Sequence, residues 1–111
     1  SDGFVVKKED LASFFEEKLS TLGLSYKEQE EFIIYWLPEL DSNDYTFIRF
    51  MTKEEINEEM PLEITPTPKN IIRVWMQYKK VDSTYQVPEQ TLASPSREGY
   101  TLVEWGGTEI K

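Results

Sequence analysis

The 111-residue chain contains no histidine and no cysteine. Without imidazole or thiol there is no His/Cys zinc site and no haem held through His or Cys. Iron–sulfur clusters, thiol nucleophiles and Ser–His or Cys–His dyads are excluded with them. A disulfide scaffold is excluded for the same reason. Basic residues are scarce: 12 Lys and Arg stand against 21 Asp and Glu, a net charge of −9. A protein that reads a phosphate backbone carries a basic face, so nucleic acid is not expected as a partner. No apolar run approaches the ~20 residues of a membrane-spanning helix. Internal repeats and low-complexity segments are missing as well.

What remains has the length of one ordinary domain. A globule of this size buries roughly two-thirds of its unfolded surface and needs neither metal nor disulfide to form a core. The sequence shows no signal peptide, and it opens Ser1-Asp2-Gly3 without methionine. That opening leads to the expectation of a piece of a longer protein, with any signal or anchor outside it. Charge is unevenly placed. Residues 9–63 hold 15 acidic and 4 basic side chains, whereas residues 64–111 hold 5 and 6. Solvated helix faces account for the acidic half most simply; contact with a basic partner is the sharper alternative.

Hydrophobic periodicity gives the elements. Phe4-Val5-Val6 reads as a short strand or an extended lead-in. Leu11, Phe14, Phe15, Leu19 and Leu22 then follow a helical stripe that predicts a helix over 9–22, with Gly23 placed to end it. Ser25 and Glu28 form a capping-box pattern for a second helix, whose stripe is Phe32, Ile33, Trp36, Leu37 and Leu40. Pro38 predicts its end near Trp36 or Leu37. The short Gly23–Ser25 link implies a helical hairpin or a sharp corner. After the Asp41–Asp44 turn cluster the period becomes two, and residues 45–51 read as a strand. Thr52 and Glu55 form a second capping box that opens a short helix to about Glu59.

Leu62–Thr65 is a further strand candidate, and Pro66-Thr67-Pro68 reads as a polyproline-like connector. Residues 70–79 carry the strongest β signal. They are apolar on both parities apart from Arg73, Gln77 and Lys79, as in a central or covered strand. Residues 81–97 are polar and read as a surface connection, with Glu89–Leu92 as an edge-strand candidate. Residues 100–105 are the last strand, which Gly106-Gly107 is expected to end or to bend, a bulge being one way to bend it. Helices first and strands afterwards point to one α+β domain over 1–111. Its helical part spans about 9–40 and its sheet part about 45–110. The expected architecture is an N-terminal helical hairpin packed on a small, mostly antiparallel sheet.

Chemistry must come from acids, hydroxyls or amines. Glu104 beside Trp105 is the best single carboxylate, since an apolar wall raises a carboxyl pKa. A glycosidase needs two carboxylates, about 5–5.5 Å apart when retaining, and no second one is evident. Arg49 and Arg73, each beside an isoleucine in an apolar strand, call for carboxylate partners, with Glu63 and Glu104 the natural choices. The functional alternative is an anion clamp. Asp41-x-Asn43 begins like a calcium loop but places Tyr45, Thr46 and Thr52 where ligands and the obligatory glycine belong. The Glu54, Glu55, Glu58, Glu59 cluster reads as a solvated helix face. Among the aromatics, Trp36 and Trp75 read as core, whereas Trp105, Tyr85 and Tyr100 are better placed for exposure and sugar stacking. The candidate binding set is therefore Arg49, Arg73, Glu104, Trp105 and Tyr100. No catalytic residue, metal ligand or cofactor is expected.

Five segments carry a resemblance: Gly3-Phe4-Val5-Val6-Lys7, Glu31-Phe32-Ile33-Ile34-Tyr35-Trp36-Leu37-Pro38, Ile72-Arg73-Val74-Trp75-Met76, Pro88-Glu89-Gln90 and Val103-Glu104-Trp105-Gly106-Gly107. In this order, over essentially the whole chain, they resemble the C-terminal part of an uncharacterised microbial domain family. In that family a β-rich region, opening with a Lys-Pro-Val-Ile-Tyr-Leu-Tyr-Pro-like stretch, often precedes. The resemblance implies a secreted or cell-surface protein and a larger unit, with other domains of the parent or a protein partner as neighbours. It brings no established activity. The leading expectation is a non-catalytic interaction or structural module. The alternatives are a carboxylate-dependent glycan hydrolase and a carbohydrate-binding module using exposed aromatics.

Overall fold

The computed structural model describes residues 2–61 and 70–110. Strand β1 (Phe4–Lys7) leads through a 3-10 turn (Lys8–Asp10) into helix α1 (Leu11–Thr21). Helix α2 (Tyr26–Leu40), strand β2 (Tyr45–Phe50), helix α3 (Lys53–Glu59), strand β3 (Asn70–Val81) and strand β4 (Thr101–Glu109) follow. The α+β class and the helical hairpin on a small, mostly antiparallel sheet are as expected. The proposed Leu62–Thr65 strand, the Pro66–Pro68 connector and Glu63 lie outside the described residues.

Local chemistry explains the hairpin. Leu11, Phe15 and Leu19 of the α1 stripe are fully buried. Gly23 adopts φ 100°, and the Gly23 and Leu24 N–H groups bond back to the carbonyls of Ser20 and Leu19 at 3.1 and 3.0 Å. This is a Schellman ending, which a residue bearing a Cβ adopts only with strain. At the start of α2, Ser25 Oγ accepts from the Glu28 N–H at 3.3 Å, while Glu28 Oε1 accepts from the Ser25 N–H at 2.8 Å. Both halves of the capping box are present. A hydrophobic staple is replaced by the buried Gln29, whose Nε2 donates to the Leu24 carbonyl at 2.9 Å.

Pro38 does not end α2, which runs on to Leu40. The proline removes the donor that the Ile34 carbonyl would have used. Ile34 is 74% exposed, so that carbonyl lies on the solvent side, where water can replace the lost donor. The Asp41 N–H closes the last turn on the Leu37 carbonyl at 2.8 Å.

The sheet order is β1-β2-β3-β4. The first two pairings are antiparallel and β3–β4 is parallel. Phe4 and Val6, then Ile48 and Phe50, then Ile72, Val74, Met76 and Tyr78 project into the helix layer and are buried. Phe15 meets Phe32 edge-on at 5.2 Å, and Phe32 meets Trp105 at 5.1 Å, so the core is aromatic from α1 across to β4. Such pairs add about 0.5–1.5 kcal/mol each beyond their area burial. On the opposite face, α3 covers one corner and buries Ile56.

Two strand expectations are corrected. Glu89–Leu92 is not a strand; Glu89 makes one isolated parallel bridge to Gly3. Pro88 lacks a backbone donor for a longer ladder, and the Gln90 side chain takes over the pairing role, as described below. Gly106-Gly107 neither ends nor bends β4, which continues in register to Glu109.

Candidate functional site

The two sheet arginines are both engaged. Parallel register sets Arg73 directly beside Glu104. Arg73 Nε donates to Glu104 Oε1 at 2.7 Å, and Nη1 donates to the Met60 carbonyl. The Arg73 side chain is only 8% exposed, so this is a structural ion pair rather than an open clamp. Arg49 Nη1 donates to Gln77 Oε1 on the neighbouring strand at 2.9 Å and meets Glu55 of α3 at 3.3 Å. Among the described residues its carboxylate partner is Glu55; Glu63 lies outside them. The Thr52 backbone N–H, and Arg49 after it, hold the Glu55 carboxyl below its ordinary pKa. Of the candidate residues, the structure brings Arg73 and Glu104 together. Arg49 sits on the same face, Trp105 points into the helix layer, and Tyr100 is exposed just before β4, its carbonyl accepting from the Asn70 N–H.

The tryptophans depart from expectation. Trp75 is half-buried on the face away from α1 and α2, and Trp105, expected to be exposed, is half-buried against Phe32. The two glycines explain where the rings lie. A Cβ on Gly106 would fall 2.4 Å from the Trp75 ring, and one on Gly107 would fall 2.9 Å from the Trp36 ring. Gly106 thus makes room for an indole on one face of β4, and Gly107 for another on the opposite face. Trp75 Nε1 donates to Thr108 Oγ1 at 3.1 Å, which holds its ring along the sheet.

The long connection 82–100 wraps the β1 edge and the hairpin. The Gly3 N–H donates to the Pro88 carbonyl at 2.9 Å. Gln90 then satisfies the end of β2: its Oε1 accepts from the Phe50 N–H at 2.8 Å and its Nε2 donates to the Phe50 carbonyl at 2.6 Å. Farther on, Arg97 donates to both Glu28 oxygens, at 2.6 and 3.0 Å, and to the Gly23 carbonyl. The Arg97 guanidinium holds the Glu28 carboxyl down at about 2. A groove of about 890 Å³ lies between α1, β1 and residues 85–89, with Phe14, Lys18 and Tyr85 among its walls.

The corner of α2 and β4 has a different character. Ile34 and Tyr35, at 74% and 66%, are among the most exposed large apolar side chains. Tyr35 packs edge-on against Trp105 at 5.8 Å and Trp36 at 5.1 Å. Beneath them runs the outer edge of β4. The Asn70 N–H donates to the Tyr100 carbonyl and the Ile110 N–H to the Tyr78 carbonyl. In a parallel ladder, a residue's N–H and C=O point to the same side. The even residues of β4 therefore face β3, and Thr101, Val103, Trp105, Gly107 and Glu109 turn their backbone groups outward. Among the described residues, none of those outward groups has a hydrogen-bond partner.

Acid chemistry converges elsewhere. Glu30 of α2, one oxygen of which is enclosed, faces Glu16 of α1, and burial followed by that neighbouring charge raises its carboxyl pKa. Among the described residues, no group of three or more acids is placed to hold a metal ion, and no helix is long and apolar enough to cross a membrane. Ile34, Tyr35 and Gln90 did not enter the candidate set. Ile34 and Tyr35 were legible as apolar residues lying off the buried stripe of α2. Gln90 had no local signal, since its partner lies 40 residues away. No family model matches the chain, and neither curated proteins nor solved structures show a match to it.

Proposed function

We propose that this chain is a non-catalytic interaction module of a larger secreted or cell-surface protein, docking through the α2–β4 corner. The supporting observation is the coincidence of an open, nine-residue strand edge with the exposed Ile34 and Tyr35 beside it. Exposed apolar groups that adjoin unpaired backbone donors and acceptors are a recurrent recognition surface. The extracellular setting rests on the family resemblance. Engagement of Glu104 by Arg73 weighs against an acid–base role for that carboxylate, and the net charge of −9 weighs against nucleic acid.

Site-specific photocrosslinking tests the reading. With Tyr35→p-benzoylphenylalanine, expressed in the cell that makes the parent protein, one dominant adduct is expected. The same group at Glu54, on α3, is expected to give none. Equal yields at both positions, or no adduct at either, would refute docking at this corner. One observation favours glycan as a second ligand class: the Trp75 ring lies along Gly106 with Gln77 and Arg49 beside it on the same face. Trp75→Ala would then abolish glycan-array binding, and array signals indifferent to that change would dismiss it.

A further inference from the structure

We propose that the occupant of the β4 edge is an extended, cationic segment of a partner protein, added as a fifth strand. This deepens the docking reading above and rests on it. The backbone argument comes first. Five consecutive outward positions, from Thr101 to Glu109, leave N–H and C=O groups without partners among the described residues. A strand is the one element whose own donors and acceptors match that spacing over the full length of β4. The edge also lacks proline and lysine, two of the devices that blunt exposed strands.

Charge then selects the occupant. On α2, Glu31 lies one helical turn before Tyr35, so the two share a face beside the edge. Glu31 has no partner among the described residues, and neither has Glu109 at the far end of β4. A strand laid along β4 presents alternate side chains to the α2 side. Lysine or arginine at those positions meets Glu31 and, at one end, Glu109, while their aliphatic stems cover Tyr35 and Trp105. The same acids disfavour a second copy of this chain, which would bring another −9 to the interface. Opposed net charge also accelerates encounter with a cationic partner.

The test uses the whole chain, labelled with nitrogen-15, and a blocked peptide of alternating lysine and valine long enough to span β4. Adding the peptide is expected to slow amide exchange at Val103, Trp105 and Gly107 about tenfold or more, with Leu102, Glu104 and Gly106 unchanged because they are already paired. High salt is expected to weaken the effect, and an alternating glutamate–valine peptide to produce none. Val103→Pro removes one outward donor without touching the β3 ladder and should abolish binding. Glu31→Lys, at an exposed position that leaves the fold intact, should weaken it several-fold. The proposal is overturned by unchanged exchange at the three odd amides, by equal protection from the acidic peptide, or by a doubled solution mass showing self-pairing. A crosslink at position 35 without that protection leaves docking standing and removes strand addition. Loss of both removes both.

Discussion

Gln90 holds the end of β2 as a neighbouring strand would, and Gln90→Ala measures how much that matters. The side chain donates to the Phe50 carbonyl and accepts from the Phe50 N–H, at 2.6 and 2.8 Å, in a site where Gln90 itself is 9% exposed. Truncation leaves two enclosed backbone groups without partners, each costing about 1–3 kcal/mol. Partial entry of water offsets some of this, so the expected loss is about 2–4 kcal/mol. That is a large fraction of the stability of a domain this size, and at about 4 °C per kcal/mol it lowers Tm by about 8–16 °C. Gln90→Glu adds a sign. Ionised, it keeps the acceptor for the Phe50 N–H but loses the donor. Protonation restores that donor, so the folded-state pKa is raised. The variant therefore recovers stability as pH falls through that raised value, and recovery is complete below the ordinary carboxyl range. Urea melts at neutral and acid pH, with exchange at the Phe50 amide, report both effects. A Gln90→Ala loss under about 0.5 kcal/mol, or a protected Phe50 amide in that variant, would refute the reasoning.

Three further outcomes follow from the same geometry. Glu28 is held down at about 2 by Arg97 against an ordinary 4.5. Its contribution is thus present above pH 4.5 and is lost as pH falls toward 2; Glu28→Gln should flatten that limb of the acid-stability curve by about 1–2 kcal/mol, since Arg97 is partly screened by solvent. An unchanged limb would mean that the pair contributes nothing. Arg73→Ala should cost about 3 kcal/mol by stranding Glu104 and the Met60 carbonyl, whereas Arg73→Met with Glu104→Leu should regain most of it in urea melts. Equal losses in the two would contradict the pairing. Gly106→Val places a Cβ 2.4 Å from the Trp75 ring and should destabilise by about 1–3 kcal/mol with a red shift in tryptophan emission; emission identical to the parent would place the ring elsewhere.

The sequence was most legible where the cause is local. Both capping boxes, the Gly23 ending and the strands at 45–50 and 70–81 are set by residues a few positions apart. It misled where the cause is tertiary. Pro38 reads as a stop, yet α2 runs on to Leu40, with Ile34 and Pro38 both on its exposed side. Gly106-Gly107 reads as a break, because nothing nearby in the chain announces that Trp75 and Trp36 will occupy the missing side-chain volume. Arg73 and Glu104, 31 residues apart, are each legible as a charge in an apolar strand that needs a partner, but which arginine takes Glu104 is set by the β3–β4 register. The Arg49–Glu55 contact has no signal in the strand pattern, because it depends on α3 folding back over β2. Trp105 was placed outside because the register that turns it toward Phe32 follows from parallel pairing with β3.

The two edges of the sheet bear on function because they are treated so differently. The β1 edge is short and is covered by its own chain: Gly3 bonds to Pro88, and Gln90 completes β2 beyond the end of β1. The β4 edge is nine residues long, and the described chain never returns to it. A sheet gains nothing for its own stability by leaving such an edge open, and it risks association with other chains. Charge resolves the conflict. On the exposed side of this edge, Glu31 and Glu109 repel a second copy and most acidic proteins, while Glu104 is already held by Arg73 and adds little. The repulsion is specific in sign: it is absent for a neutral strand and becomes attraction for a strand carrying positive charge. Protection against aggregation and selection of a partner are then the same electrostatic property. Reversing Glu31 should therefore do two things at once: weaken the lysine–valine peptide and raise the tendency of the chain to self-associate. Sedimentation of Glu31→Lys measures the second effect, and a variant that loses the peptide yet stays monomeric at every concentration would separate the two roles that this argument joins.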